Sequence, residues 1–313
     1  LFTGVYRNVH GRAFQLDIED GKCRFFQAAT KRRKPLNGSY RQVLDLTIDR
    51  LTTIMPVAVD GDKTIVDLTA GNDSRLTLAA LTAGVHSNAA VSFRVVGEPS
   101  SRDVLGAKQL ADLCRLDLRA VSSPSPDALD ETALADAALD GDSSYPFLEI
   151  ALRRTLERRH FAEFKHHVGS IGGQLFRNWM WMYALPVAGR TTALDYDALL
   201  RHRIYNSPDL DWQALTDGRM TRLEHDAHLL DAARQIDLAF PELLNVSKLE
   251  LIHIQNLSQR SPFWTLARSI HVVLPYLWTE LADVSLGIPY WMKLTRRLVV
   301  DAVRKMNLSL VGV

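Results

Sequence analysis

From Arg41 to Met55 apolar residues return every three or four positions (RQVLDLTIDRLTTIM), which predicts an amphipathic helix. The rhythm then changes. TIVDLT (64–69) is a short apolar run that predicts a buried strand, and a helical pattern follows over 73–83. A second strand is expected at AAVSFRVVG (89–97), a helix with an N-cap candidate at SSRDVLGAKQLADLC (100–114), and a third strand at DLRAVSS. A long helical stretch at 147–160 leads to a fourth strand candidate, FKHHVGS (164–170), which runs into IGGQLFR. Strand, turn and helix repeated in this order predict an α/β fold, a mostly parallel sheet with flanking helices. From about residue 175 the pattern is helical with interleaved aromatics, so the C-terminal half is expected to be helical. Residues 1–29 read as a small β element, 31–39 (KRRKPLNGS) as a solvated linker, and 123–144 as a loop and an acidic, Ala-rich helix.

Composition narrows the class. Of 313 residues 47 % are apolar, enough for a sizeable core. The formal net charge is +1, so no basic surface points to nucleic acid. Cys23 and Cys114 are too few for a disulfide framework, and the expectation is a reducing, cytoplasmic setting. No run of eighteen apolar residues predicts a membrane span, and no membrane partner is expected. The chain begins at Leu1, which reads as a processed or truncated start.

The chemistry concentrates at DLTAGNDSR (67–75). Ala70, Gly71 and their short neighbours let backbone N–H groups approach a ligand, and a helix N-terminus behind them favours an anion. Thr69 and Ser74 offer hydroxyls to a phosphate, and Asp73 can cap the helix or hold a magnesium ion. In open α/β sheets ligands bind beyond the carboxyl ends of the strands. The phosphate loop GxxxxGK[ST] and the dinucleotide motif GxGxxG are both absent. A strand end with an aspartate cap and small residues for close packing remains the structural alternative.

Other groupings read as ordinary. His160 closes a basic helix, and His166 and His167 flank a strand start where neighbouring side chains diverge, so zinc is not expected. Asp195 with Asp197, and His225 with His228, read as helix caps or solvated faces. FRNWMWMY (176–183) reads as core packing, except that Arg177 follows the glycine turn closely enough to reach a carboxylate or phosphate.

The loop resembles the SGGxDS pyrophosphatase loop in the synthetase domain of the asparagine synthetase family, which has an adenine nucleotide alpha-hydrolase-like fold. Thr69 stands at its Ser and Ala70 at its first Gly, and Gly71, Asn72, Asp73 and Ser74 continue it. Three further features follow in order. SFRVVG (92–97) with Asp103 and Ala107 is similar to the family's second strand and its helix. HHVGSIGGQLFRNWMW (166–181) resembles a glycine-rich segment that carries an Asp-Glu pair. VVLPYLWTELADVSLGIPYWMKLTRRLVVDAV (272–303) resembles the late helical segment, with Pro275, Tyr276, Leu277 and Pro289 in place. The likeness covers about residues 40–310.

The resemblance implies ATP-dependent amide formation through an acyl-adenylate, with release of pyrophosphate and AMP. It makes 40–313 a synthetase-like domain and 1–39 a remnant or the end of an upstream glutaminase-like domain. The implied ligands are ATP, Mg2+, a small-molecule or peptide carboxylate, and an amine or ammonia. Thr69, Ala70, Gly71, Asn72, Asp73, Ser74, Gly169, Gly172 and Gln174 would bind the nucleotide, and Asp73 the magnesium. Asp73, Arg296 and Arg297 would act in catalysis. The departures are specific. Gly173 and Gln174 replace the Asp-Glu pair, Trp278 replaces an Asp, and an arginine stands near the late Lys. They leave open a nucleotide-binding or scaffold protein that keeps the fold without the chemistry.

Overall fold

The computed structural model describes residues 12–16, 23–27, 36–59, 63–84, 91–123, 125, 129, 131–132, 134–135, 147–177, 191–195, 230, 233–260 and 270–311. Two compact units divide the chain. One comprises Leu1–Lys34 with Met180–Asn256, the other Pro35–Trp179 with Leu257–Val313. In the first, β1 (Arg12–Leu16) pairs antiparallel with β2 (Cys23–Gln27), as the alternating N-terminal pattern predicts. In this unit, too, helix α5 (Asn245–Arg260) begins, and the buried Lys248 ammonium donates to Asp237 and to the Thr192 carbonyl, each at 2.5 Å.

The second unit is built on a five-stranded sheet, all parallel: β3 (Thr64–Asp67), β4 (Val91–Val96), β5 (Leu118–Val121), β6 (His166–Val168) and β7 (His271–Val273), in the spatial order β5-β4-β3-β6-β7. The chain winds from β3 outward to β5 and then returns to the other side of β3. The strand order therefore reverses between β3 and β6, and that crevice is where open α/β sheets take their ligands. Strand β7 went unforeseen, because three residues inside the apolar run SIHVVLPYLW carry too little period-2 signal.

Helices cover both faces. Helix α1 (Tyr40–Ala58) starts at a reciprocal cap, with the Gln42 N–H donating to Ser39 Oγ and the Ser39 N–H to Gln42 Oε1. It buries Val43, Leu44, Thr47, Leu51, Met55 and Ala58, and from Leu44 onward these recur every three or four positions. Helix α2 (Asn72–Gly84), α3 (Arg102–Cys114), α4 (Phe147–His160), α6 (Thr279–Gly287), α7 (Tyr290–Lys293) and α8 (Arg297–Met306) complete the unit. The main core joins α1, α2 and α8 to one sheet face through Leu51, Leu76, Leu78, Val66, Phe93 and Leu298. Each such fully buried side chain contributes about 1.5–3 kcal/mol. The opposite face carries Ile65 against Leu156, Phe161 and Phe164.

Successive strand residues point to opposite faces. Ile65 and Val66 are both fully buried on different faces, which is why these strands read as continuous apolar runs. Among the described residues no helix is long and apolar enough to cross a membrane. Beyond residue 177, where helices are expected, α5 to α8 are helical; residues 178–190 and 196–229, with Asp197, His225 and His228, and the basic segment 31–34 lie outside the described residues, as does most of 123–144.

Candidate functional site

The loop after β3 is held by its own hydroxyls. The Gly71 N–H donates to Thr69 Oγ1 at 3.1 Å, and the Thr69 N–H donates to Ser74 Oγ at 3.1 Å. Ser74 Oγ lies 3.0 Å from Thr69 Oγ1 and 2.9 Å from the Thr69 carbonyl. Both hydroxyls are therefore engaged in shaping the turn, not presented to a phosphate. What the turn leaves for an anion is the start of α2. The N–H groups of Asn72, Asp73 and Ser74 have no acceptor within the helix, and the first helical bond is made by Arg75 to the Gly71 carbonyl at 3.1 Å.

Ala70 fits because α3 makes room for it. A Cβ added at Gly106 would stand 2.5 Å from the Ala70 methyl carbon, so the two positions share one small space. A second close approach joins the two crevice loops. A Cβ at Gly173 would stand 2.7 Å from Asp73 Cβ. No aspartate fits at 173 without moving one loop away from the other.

Asp73 is itself occupied. Arg177 grips it with both arms of its guanidinium, Nε to Oδ1 at 2.7 Å and Nη2 to Oδ2 at 2.8 Å. This fork is the strong geometry for an arginine–carboxylate pair. The loops are further tied by Tyr276, whose buried hydroxyl lies 3.0 Å from Thr77 Oγ1 and 3.2 Å from the Asp73 carbonyl. Burial, first of all, raises the Tyr276 pKa far above that of an ordinary phenol. Thr77 Oγ1 reaches Ser170 Oγ at 3.2 Å and so connects α2 to the loop after β6.

A cavity of about 590 Å³ opens at the crevice. It falls within the range of small-molecule sites, about 300–1,000 Å³. Thr69, Gly71, Asp73, Ser74 and Gln174 line it, as expected. Ala70, Asn72, Gly169 and Gly172 are not on its wall. Gly169 donates its N–H to the Val273 carbonyl at 3.0 Å, and Gly172, at φ +97°, donates to Gln174 Oε1 at 3.0 Å. These four support the loops rather than face the cavity. The arginine expectation is corrected more sharply. Neither Arg296 nor Arg297 lines the cavity, and Arg297 stacks on the Tyr40 ring, 72 % exposed, beside Asp301. Both belong to the start of α8, where charged groups are spent on the surface.

The unforeseen part of the site is a charged cluster on the sheet face under α4. Strand alternation places Asp67, Arg94 and His167 on that same face, from three neighbouring strands. Arg94 donates Nε to Asp67 Oδ1 at 2.8 Å, and its Nη1 to Glu157 Oε1 of α4. Arg94 Nη2 lies 3.3 Å from His167 Nδ1, and its guanidinium covers the Phe161 ring at 4.7 Å. His167 Nε2 lies 2.9 Å from Asp67 Oδ1. Burial would raise the Asp67 carboxyl, but His167 and Arg94 overcome it and hold the group well below the ordinary carboxylate range. Burial likewise disfavours the Arg94 charge, and Asp67 and Glu157 more than offset it. The sequence did carry a signal for this cluster: opposite charges inside apolar strands, where an unpaired charge is costly. His166 points away from His167 and meets His271 instead, as their adjacency on a strand requires.

A magnesium ion at Asp73 does not fit these residues. Both oxygens are held by Arg177, Gly173 offers no ligand, and among the described residues no three of His, Cys, Asp and Glu group as a metal site. What the site does offer is the start of α2, whose first N–H groups favour an anion, beside a cavity of small-molecule size. Compared with known proteins, the chain matches no family model and no curated protein.

Proposed function

We propose that this chain is the synthetase domain of an asparagine synthetase-like carbon–nitrogen ligase, with an adenine nucleotide alpha-hydrolase-like fold. ATP binds at the crevice between β3 and β6. A carboxylate in the cavity attacks its α-phosphorus, pyrophosphate leaves, and an amine or ammonia then displaces AMP to form the amide. The observation that carries the reading is the cavity at the switch point, lined by Asp73 and Ser74 of the first turn of α2, whose N–H groups have no acceptor within the helix. The order of the loop motif and the later glycine turn along the sequence supports it.

A second reading has its own observation. The grip of Arg177 on Asp73, with Gly173 pressed against the same residue, favours a protein that binds the nucleotide without turning it over.

ATP–pyrophosphate exchange, run against a panel of amino acids and carboxylic acids, separates the two. Exchange that requires one acid and is lost in Asp73→Asn is the expected result. Tight ATP binding with no exchange for any acid would favour the second reading.

A further inference from the structure

At the amino ends of the parallel strands two histidines meet. His166 and His271 begin β6 and β7 and lie directly opposite each other in the register. Residues opposite each other on neighbouring strands leave the sheet on the same face. The next pair on that face, Val168 and Val273, enters the main core, so the histidines stand at its rim. Their Nδ1 atoms are 3.1 Å apart in a solvent-exposed contact, with the ring centroids 5.1 Å apart and the rings inclined at 60°. His271 is exposed and His166 half-buried. Among the described residues no third histidine, cysteine or carboxylate groups with them.

We propose that His166 and His271 form a site for a divalent cation of the transition series, Ni2+, Cu2+ or Zn2+, with water completing its coordination. Imidazole nitrogens this close are held together by one proton between them or by a metal ion in its place. The displaced proton passes to a ring Nε2 or to water. A histidine nitrogen binds such an ion at about 2.0–2.1 Å, so two on one ion stand about 2.9 Å apart at a right angle and about 3.3 Å apart at the tetrahedral angle. The observed 3.1 Å lies between these, so the strands already hold both ligands at coordinating distance. Imidazole selects these ions over magnesium and calcium, which take oxygen ligands. An ion here ties β6 to β7, which pair through only three residues each. Its binding free energy then adds to the stability of the fold. The pair stands at the amino ends of the strands and the cavity beyond their carboxyl ends, so this site does not depend on the activity proposed above.

The test is isothermal titration of the full chain, without a histidine tag, with Ni2+ in a buffer holding excess Mg2+. One Ni2+ per chain is expected to bind. His271→Ala, at an exposed position, and His166→Gln are each expected to weaken it about tenfold or more, since loss of even an outer-shell partner of a metal ligand costs that much. His160→Ala, which removes a histidine outside the pair, is expected to leave the affinity unchanged. Far-UV circular dichroism checks that the variants fold. Saturating Ni2+ is also expected to raise the melting temperature of the wild type and of His160→Ala, but not of the two pair variants. No Ni2+ binding, equal binding in the wild type and both pair variants, or a loss in only one of the two overturns the site. Binding that is lost in both pair variants but leaves the wild-type melting temperature unchanged overturns the tie between the strands.

Discussion

Both carboxylate oxygens of Asp73 accept hydrogen bonds from Arg177, at 2.7 and 2.8 Å, across 104 positions of sequence. The pair neutralises the carboxylate at the start of α2, where the nucleotide proposed above would place its phosphates. It expects nucleotide binding that does not depend on a divalent ion. ATP affinity of the wild type, measured by isothermal titration with magnesium and with chelator, should agree within about threefold. Arg177→Ala releases Asp73 as a free carboxylate, which repels the nucleotide unless a cation intervenes. Its ATP affinity should fall, and should recover in part with magnesium. A wild-type affinity that collapses in chelator would contradict the arrangement.

Gly173 is small because Asp73 stands against it. A methyl group there comes within 2.7 Å of Asp73 Cβ, closer than packed carbons approach. Gly173→Ala should cost about 1–3 kcal/mol, typical of overpacking. The melting temperature should fall by about 2–4 °C for each kcal/mol. Gly173→Asp, which restores the residue of the resembled motif, should be worse rather than better, because the added carboxylate also faces that of Asp73.

The central strands were legible because β3 and β4 bury adjacent residues and therefore both faces, so TIVDL and SFRVVG stand out as largely apolar runs. The α2 loop was legible for a local reason, since small residues and an aspartate follow a strand end directly. What local pattern cannot show is which distant groups meet. Glu157 reads as one charge on a basic helix, and Arg94 as a blemish in a strand. Their pairing depends on α4 crossing above β4, a long-range contact. The hydrogen bonds of Thr69 and Ser74 within the turn were not legible for a similar reason. A hydroxyl in a turn serves the turn itself as readily as a ligand.

Ala70 and Gly106 should behave as a coupled pair. Gly106→Ala alone drives two methyl groups to 2.5 Å and should destabilise by about 1–3 kcal/mol. Ala70→Gly alone should cost less, by loosening the loop. Together they exchange which element carries the methyl. The double variant should recover at least about 1 kcal/mol relative to the sum of the singles, a coupling expected of residues in contact. Melting temperatures of the four proteins measure it. Simple additivity would mean that the helix and the loop do not share that space.

The pH dependence of stability should show the Asp67 cluster. The folded carboxyl is held below its ordinary value by His167 and Arg94 against the opposing effect of burial. The unfolded carboxyl titrates near the ordinary aspartate value, about 3.9. Over the range between the two the unfolded chain binds the proton more readily than the folded one. The contribution of Asp67 is therefore fully present above about pH 5, and is lost as the pH falls through about 4 toward the lower folded value. Asp67→Asn lacks this carboxyl. Its melting temperature should be lower than that of the wild type at neutral pH, and the gap should close as the pH is lowered from about 5 to about 2. A gap that stays constant over that range would mean that the contacts with Arg94 and His167 contribute nothing to the stability of the fold.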